Sequence, residues 1–320
     1  MRSRQALFIG SILLSAPGFA SAQTNAEMLI KPWATEQLVE QSTEALYMGE
    51  ADIGGSDEEV QISEFESKGR VRLMPGERAS PRLGYDMLYM NLDTDFAGLP
   101  NQLWDFSVAA GLAIGQFDGW IAGITVGVGY AGDAPFSNGR SYYGLAAIGV
   151  AKELGKDKFL GIILDYDGNR AIFPDIPLPG IVYGFRIDER LRASVGFPVS
   201  SVTWEPNEQF TAELNFFIAG NFEARLTYRP FEHFSIFGAY LGRNEAFHVD
   251  KVEGNNRLLF EQRRLEAGAR WETTEYFGIG AAVGYAFNQE FRSGFDARKS
   301  DVVADLSDEL YLKIEVSADF

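Results

Sequence analysis

Residues 104–130 read WDFSVAAGLAIGQFDGWIAGITVGVGY, and two periods compete to explain them. Gly111, Gly115, Gly119, Gly123 and Gly127 recur every fourth residue, which on a membrane helix would form a small-residue contact face. A period of two accounts for more. Trp104, Phe106, Val108, Ala110, Leu112 and Ile114 alternate with Asp105, Ser107, Ala109, Gly111 and Ala113. After Gln116 to Gly119, Trp120, Ala122, Ile124, Val126, Val128 and Tyr130 alternate with Ile121, Gly123, Thr125, Gly127 and Gly129. Successive side chains of a strand point to opposite faces, so the segment predicts a β-hairpin with one large apolar face and one small or polar face.

The same alternation recurs along the chain. It appears at Ile181, Tyr183, Phe185; Leu191, Ala193, Val195, Phe197; Phe210, Ala212, Leu214, Phe216; Phe222, Ala224, Leu226, Tyr228; Leu265, Ala267, Ala269, Trp271; and Phe277 to Phe287. Further strands are expected from near Ala45, Val60 and Leu83. Asp188-Glu189, Arg229 to Glu232 and Glu272 to Glu275 read as compact turns, and Asp133 to Arg140, Gly242 to Asn256 and Arg292 to Ser307 as longer polar connections. The pattern is a β-meander. Closing it with both chain ends on one side requires an even strand number, so the expectation is an all-β, antiparallel up-and-down barrel of about 14 strands, within 12–16. The stretches Asp167 to Gly180 and Arg190 to Trp204 are where a strand is easiest to miscount.

Two features favour a transmembrane barrel over a soluble periplasmic β protein. Asp105, Arg186, Arg192, Glu213, Glu223, Arg225, Glu266 and Arg270 alternate with the apolar set, joined on the last strand by Lys313 and Glu315. These ten charges are expected to line a lumen, because charges enter a dry core only when paired. Aromatic residues also mark the ends of the apolar faces, as two lipid–water interfaces would select. Composition narrows the field further. The 320 residues contain 46% hydrophobic residues, no cysteine and a formal charge of −17. Disorder, disulfide frameworks and thiolate metal sites are excluded, and nucleic acid is an unfavourable partner.

Arg2 and Arg4, the apolar run Ala6 to Phe19 and the small residues Ala20-Ser21-Ala22 read as a signal peptide over 1–22, cleaved between Ala22 and Gln23. The exported chain then carries 26 basic and 45 acidic side chains, a charge of −19. Residues 23–42 read as a periplasmic lead-in or plug segment, and 43–320 as the barrel. At the carboxyl end Leu310, Leu312, Ile314, Val316, Ala318 and Phe320 share one face and Tyr311, Lys313, Glu315, Ser317 and Asp319 the other. Here the sequence resembles the single-chain outer-membrane β-barrel proteins of Gram-negative bacteria. The resemblance implies an outer-membrane location, contact with outer-membrane lipid, and recognition of Phe320 as an assembly signal by the barrel-insertion machinery. Phe173-Pro174-Asp175-Ile176-Pro177-Leu178-Pro179-Gly180, Gly196-Phe197-Pro198 and Trp204-Glu205-Pro206 are similar to an uncharacterised outer-membrane barrel family of unknown function.

Motifs for chemistry are sparse. Gly127-Val128-Gly129-Tyr130-Ala131-Gly132 matches a dinucleotide fingerprint, but a loop follows where a helix should open. Asp165-Tyr166-Asp167-Gly168-Asn169 has its glycine too early for a calcium loop and reads as a turn. Two histidines exclude a multi-histidine metal site, so neither metal nor cofactor is expected. His233-Phe234-Ser235 has the H-x-S spacing of outer-membrane lipid A deacylases, yet Ile236-Phe237 follows the serine where that family has Asn-Ala. The expected function is a passive or weakly cation-preferring path for small solutes whose identity the sequence does not specify. The alternatives are a non-conducting structural or surface-binding barrel, and a lipid hydrolase using His233 and Ser235.

Overall fold

The computed structural model describes residues 38–320 apart from 75–79, 156 and 218–220; the signal peptide and most of the lead-in lie outside the described residues. The strands are β1 (Val39–Asp52), β2 (Glu59–Arg72), β3 (Arg82–Asp93), β4 (Gln102–Phe117), β5 (Trp120–Gly132), β6 (Tyr142–Gly155), β7 (Lys158–Asp167), β8 (Leu178–Arg186), β9 (Leu191–Phe197), β10 (Val199–Asn207), β11 (Phe210–Phe217), β12 (Asn221–Phe231), β13 (Phe234–Phe247), β14 (Arg257–Thr274), β15 (Phe277–Asp296), β16 (Lys299–Leu306) and β17 (Glu309–Asp319). Each pairs antiparallel with the next as far as β16, and β17 pairs with both β15 and β1, so the sheet closes on itself. β16 pairs with the outer half of β15 and β17 with its inner half, so β16 and β17 form one interrupted stave. The closed barrel therefore has 16 staves.

That count corrects the expected fourteen. The run from Leu191 to Asn207 folds back at Pro198 into two short strands, β9 and β10. Arg292 to Ser307, expected as a connection, instead holds the end of β15 and all of β16. β13 likewise runs on to Phe247, into the stretch read as a loop from Gly242. The barrel begins at Val39, four residues before the expected boundary at 43.

Local chemistry fixes the hairpins. Asp118 and Gly119, with φ of 44° and 77°, join β4 to β5, and Phe117 pairs with Trp120 across the turn. Two positive-φ residues make the type I′ geometry that matches strand twist, and glycine takes the second position without strain. Other two-residue turns, without positive φ, occur at Glu208-Gln209, Glu232-His233 and Glu275-Tyr276, on the rim where β1 begins and β17 ends. The opposite rim carries the longer loops 94–101, 133–141, 168–177 and 248–256. In outer-membrane barrels the short turns are periplasmic and the long loops extracellular, so these are the near and far rims.

The outer face is the apolar one. Val126, Val283, Leu312 and Ile314 are each more than half exposed, and the exposed apolar residues form a belt around the staves. Such a surface is incompatible with water and matches lipid. Aromatic clusters border the belt: Phe106, Tyr130, Phe136 and Tyr142 towards the far rim, and Phe234–Trp271 and Tyr276–Phe320 towards the near one. Among the described residues no helix is long and apolar enough to cross a membrane, and the strands make the crossing. Val126→Lys should destabilise the barrel by about 2–4 kcal/mol in lipid, and Val126→Leu by far less, in urea unfolding followed by heat-modifiable migration. Equal effects would show that Val126 does not face lipid.

Phe320 sits half-exposed beside the closing seam. Its amide donates to Val39 O at 2.9 Å, and Val39 N donates to Phe320 O at 3.1 Å.

Candidate functional site

The interior is built in two layers, and the lower one is ionic. Glu266 on β14 accepts from Lys313 Nζ at 2.9 Å and Tyr311 Oη at 3.0 Å, with Arg225 3.6 Å away. Arg225 donates to Glu223 at 2.7 Å, and Arg270 pairs with Glu315 at 2.6 Å. Arg192 pairs with Glu205 at 2.5 Å and Arg186 with Asp157 at 3.7 Å. Glu213 is buried opposite Arg225 in the strand register. Asp105, further toward the far rim and opposite Leu88, accepts from Tyr143 Oη at 2.6 Å and Asn169 Nδ2 at 3.0 Å. All ten charged residues singled out in the sequence thus lie away from the lipid face, and most are held in pairs.

A second set, bordering the apolar far end, has no counterpart in the sequence reading. Glu64 on β2 sits between Arg243 on β13, at 2.9 Å, and Arg264 on β14, at 2.7 Å. β2 neighbours neither β13 nor β14 in the sheet, so the bonds cross the interior. Arg243 also reaches Glu245 at 2.9 Å, and Lys68 pairs with Glu66 at 3.1 Å. Arg243 and Glu245 escaped notice because they lie in a stretch that reads as loop. On β2 the charges face serines, Phe65 and Val71, a contrast too weak to mark a face.

Two interior tyrosines are seated by glycine. Gly129 is directly opposite Tyr143, and Gly284 opposite Tyr311. A Cβ at either glycine would lie 2.1 Å from the facing ring, so each ring lies flat on bare backbone. Each hydroxyl then reaches a buried acid, Asp105 or Glu266. Part of the glycine periodicity that suggested a helix therefore makes room for aromatic rings.

Above the ionic layer the interior turns apolar. Met48, Ile62, Met90, Leu92, Phe260 and Phe291, each at most 1% exposed, belong to one core that fills the far end. Phe260 and Phe291 stack with centroids 4.6 Å apart. The polarity inversion has a physical cause. Within the membrane the barrel's outside meets lipid and its inside can be polar, whereas beyond the membrane surface the outside meets water and the inside becomes an ordinary core. On β3 the inward series accordingly runs from Asp86 to Leu88, Met90 and Leu92.

Two loops close over this core. The tip of β13 crosses the mouth, where His248 bridges to Gly132 and donates from its amide to Ala131 O at 3.0 Å. Asp250 N donates to Asp133 Oδ2 at 2.9 Å, Asn138 Nδ2 to Asp250 Oδ1 at 3.0 Å, and Lys251 Nζ to Leu99 O at 2.7 Å. From the other side, loop 168–177 is drawn in by Asn169, which donates to Asp105 and, at 2.8 Å, to Ala246 O. Near the near rim Arg186, Glu40 and Arg270 keep 23–27% exposure while Arg70 and Arg72 keep 2%; deeper in, Glu64 has 5% and Glu266 1%. The interior is stoppered at the far rim and keeps partial exposure along part of the near one.

His233 is exposed in a near-rim turn while Ser235 is buried on β13. With one side chain in solvent and the other inside the wall, they do not form a nucleophile–base pair. Gly127 to Gly132 continue strand β5, so the glycine fingerprint opens no helix. Asp167 Oδ1 accepts from Asn169 N at 2.8 Å, an Asx turn where a turn was expected, and Asp165 is bound to Arg170 at 2.6 Å. Among the described residues no cluster of His, Cys, Asp and Glu is suited to a metal.

No protein-family model matches the chain, and no curated protein matches it in sequence. Solved structures similar to it include the toluene transporter TodX of Pseudomonas putida, at 9% identity and a TM-score of 0.43, covering 93% of this chain and 92% of that one. An outer-membrane channel from Pseudomonas putida F1 is similar at 10% identity and a TM-score of 0.35, over 88% and 96% of the two chains. The porin NanC is similar at 13% identity and a TM-score of 0.32, over 88% of this chain and 100% of that one. All three are β-barrels of the outer membrane, and the likeness extends no further than that architecture.

Proposed function

We propose that this outer-membrane barrel provides a passive path for small solutes, shut in the present state at its far mouth. The observation that carries this reading is the layered interior: an ion-paired polar wall partly exposed at the near rim, ending against an apolar stopper made partly of loops. Sixteen staves enclose more space than wall side chains alone fill, and apolar constrictions gate by excluding water. Once open, the path should favour cations weakly. The lower wall carries charges of both signs in pairs, whereas exposed acids crowd the far rim at Asp52, Asp57, Glu59, Asp93, Asp95 and Asp301. Rim charges act over a Debye length of ~10 Å at 0.1 M salt and ~3 Å at 1 M.

The test is recording across a planar bilayer, with the wild-type barrel compared with a Phe260→Ser/Phe291→Ser double variant. The wild type should be mostly closed, and the variant should conduct with a cation preference that fades between 0.1 M and 1 M salt. Selectivity that survives high salt would place its source in the wall instead of the rim. The tight packing of the stopper also fits a non-conducting structural barrel, and silence of both proteins would establish that reading.

A further inference from the structure

Arg257 stands where the segments of the far mouth meet. It is the first residue of β14, immediately after loop 248–256, and its side chain is 1% exposed. Nε and Nη2 donate to Phe295 O at 3.1 and 2.9 Å, and Nη2 donates to Arg170 O at 3.0 Å. Nη1 donates to Asn169 O at 2.9 Å and Asn169 Oδ1 at 3.2 Å. Every one of these acceptors is uncharged. Nearby, Arg170 takes the commoner arrangement, paired with the carboxylate of Asp165. A guanidinium is a rigid fork of five donors, so bonding to carbonyls fixes the position of backbone, which a lysine's compact ammonium could not do across the same span. Arg257 thus clamps loop 168–177 to the end of β15 while rooting loop 248–256. Asn169 completes the clamp by binding Asp105 on β4 and Ala246 O on β13.

The two loops differ from the staves in how they are held. Residues 168–177 contain no strand, and residues 248–256 join the sheet only through the His248–Gly132 bridge. They can lift without breaking any stave-to-stave ladder, so closing the mouth and building the barrel are separable. We propose that Arg257 and Asn169 form a latch that holds the far mouth shut, and that its release lets the two loops rise from the apolar stopper. This rests on the solute-path reading.

The test is single-channel recording of Arg257→Ala and Arg257→Lys, each first shown to be folded by heat-modifiable migration. Losing a buried charge-assisted bond shifts a two-state equilibrium by about tenfold or more, so Arg257→Ala should raise open probability by at least that factor, and Arg257→Lys by most of it. Asn138→Cys and Asp250→Cys, added in the Arg257→Ala background and joined by a short thiol cross-linker, should restore closure. The chain has no cysteine of its own to interfere. If Arg257→Ala does not fold, Asn169→Ala carries the same expectation. Folded variants that record like the wild type, while Phe260→Ser/Phe291→Ser conducts, would overturn the latch and leave the path standing. Silence of that double variant as well would overturn both. Failure of both latch variants to assemble would also overturn the proposal, because it would show that these bonds build the barrel.

Discussion

Gly284→Val should abolish or severely weaken barrel assembly, although valine is intrinsically the better strand residue. Intrinsic β-propensity spans only ~1 kcal/mol and here favours the variant. Against it stands the Tyr311 ring, whose Cζ would be 2.1 Å from the new Cβ. Expelling the ring strains the packed wall by ~1–3 kcal/mol and strips Glu266 of a hydrogen bond of ~1.5–3 kcal/mol. Together roughly 3–6 kcal/mol are lost, a large share of the ~5–15 kcal/mol that holds an ordinary protein folded. Heat-modifiable migration and urea unfolding in lipid measure the effect. Tyr311→Ala in the same background should recover part of the loss by removing the clash. A Gly284→Val barrel as stable as wild type would show that the ring does not rest on that glycine.

Glu64→Ala should be the second large loss. It leaves two guanidiniums, Arg243 and Arg264, side by side on the adjacent strands β13 and β14 at 8% and 11% exposure. Removing one partner of a buried pair typically destabilises by ~3–5 kcal/mol. Arg243 keeps Glu245 and Arg264 keeps Gln262, which places the expected loss at the lower end of that range. Glu64→Gln, which retains shape and an acceptor, should lose less. Arg298→Ala provides the contrast, since Arg298 is 47% exposed beside Asp296 and such pairs contribute ~0–1 kcal/mol. Similar urea midpoints for Glu64→Ala and Arg298→Ala would mean that the interior is wet at Glu64.

What the sequence revealed and what it hid both follow from the solvent on each side of the wall. In the membrane belt, alternation separates exposed Val126 and Leu312 from buried Thr125 and Lys313, so the barrel class was legible. At the far end the rule reverses while the strand parity continues. Leu258 and Phe260 point inward on the same face of β14 as Arg264 and Glu266, so reading large apolar residues as lipid-facing fails once the strand leaves the membrane. The stopper was invisible for that reason. The short hairpin β9–β10 was obscured because its strands, with 7 and 9 residues, fall at or below the about 9–11 that a crossing takes. Arg257 and Asn169 were beyond reach for another reason. Their bond joins residues 88 positions apart through carbonyls, which leave no trace in side-chain pattern.

The central claim is an interior partly exposed at the near rim and stoppered at the far one, and because the chain lacks cysteine, single reporter cysteines can test it directly. Glu315→Cys lies in the partly exposed lower wall, and Met90→Cys in the stopper, where the native side chain has no exposure. Both proteins would be inserted into liposomes and treated with a small charged thiol reagent, and the rates of modification compared. A closed far mouth predicts rapid labelling of Glu315→Cys by reagent on the near side only, and negligible labelling of Met90→Cys from either side. Equal rates at the two positions would contradict it.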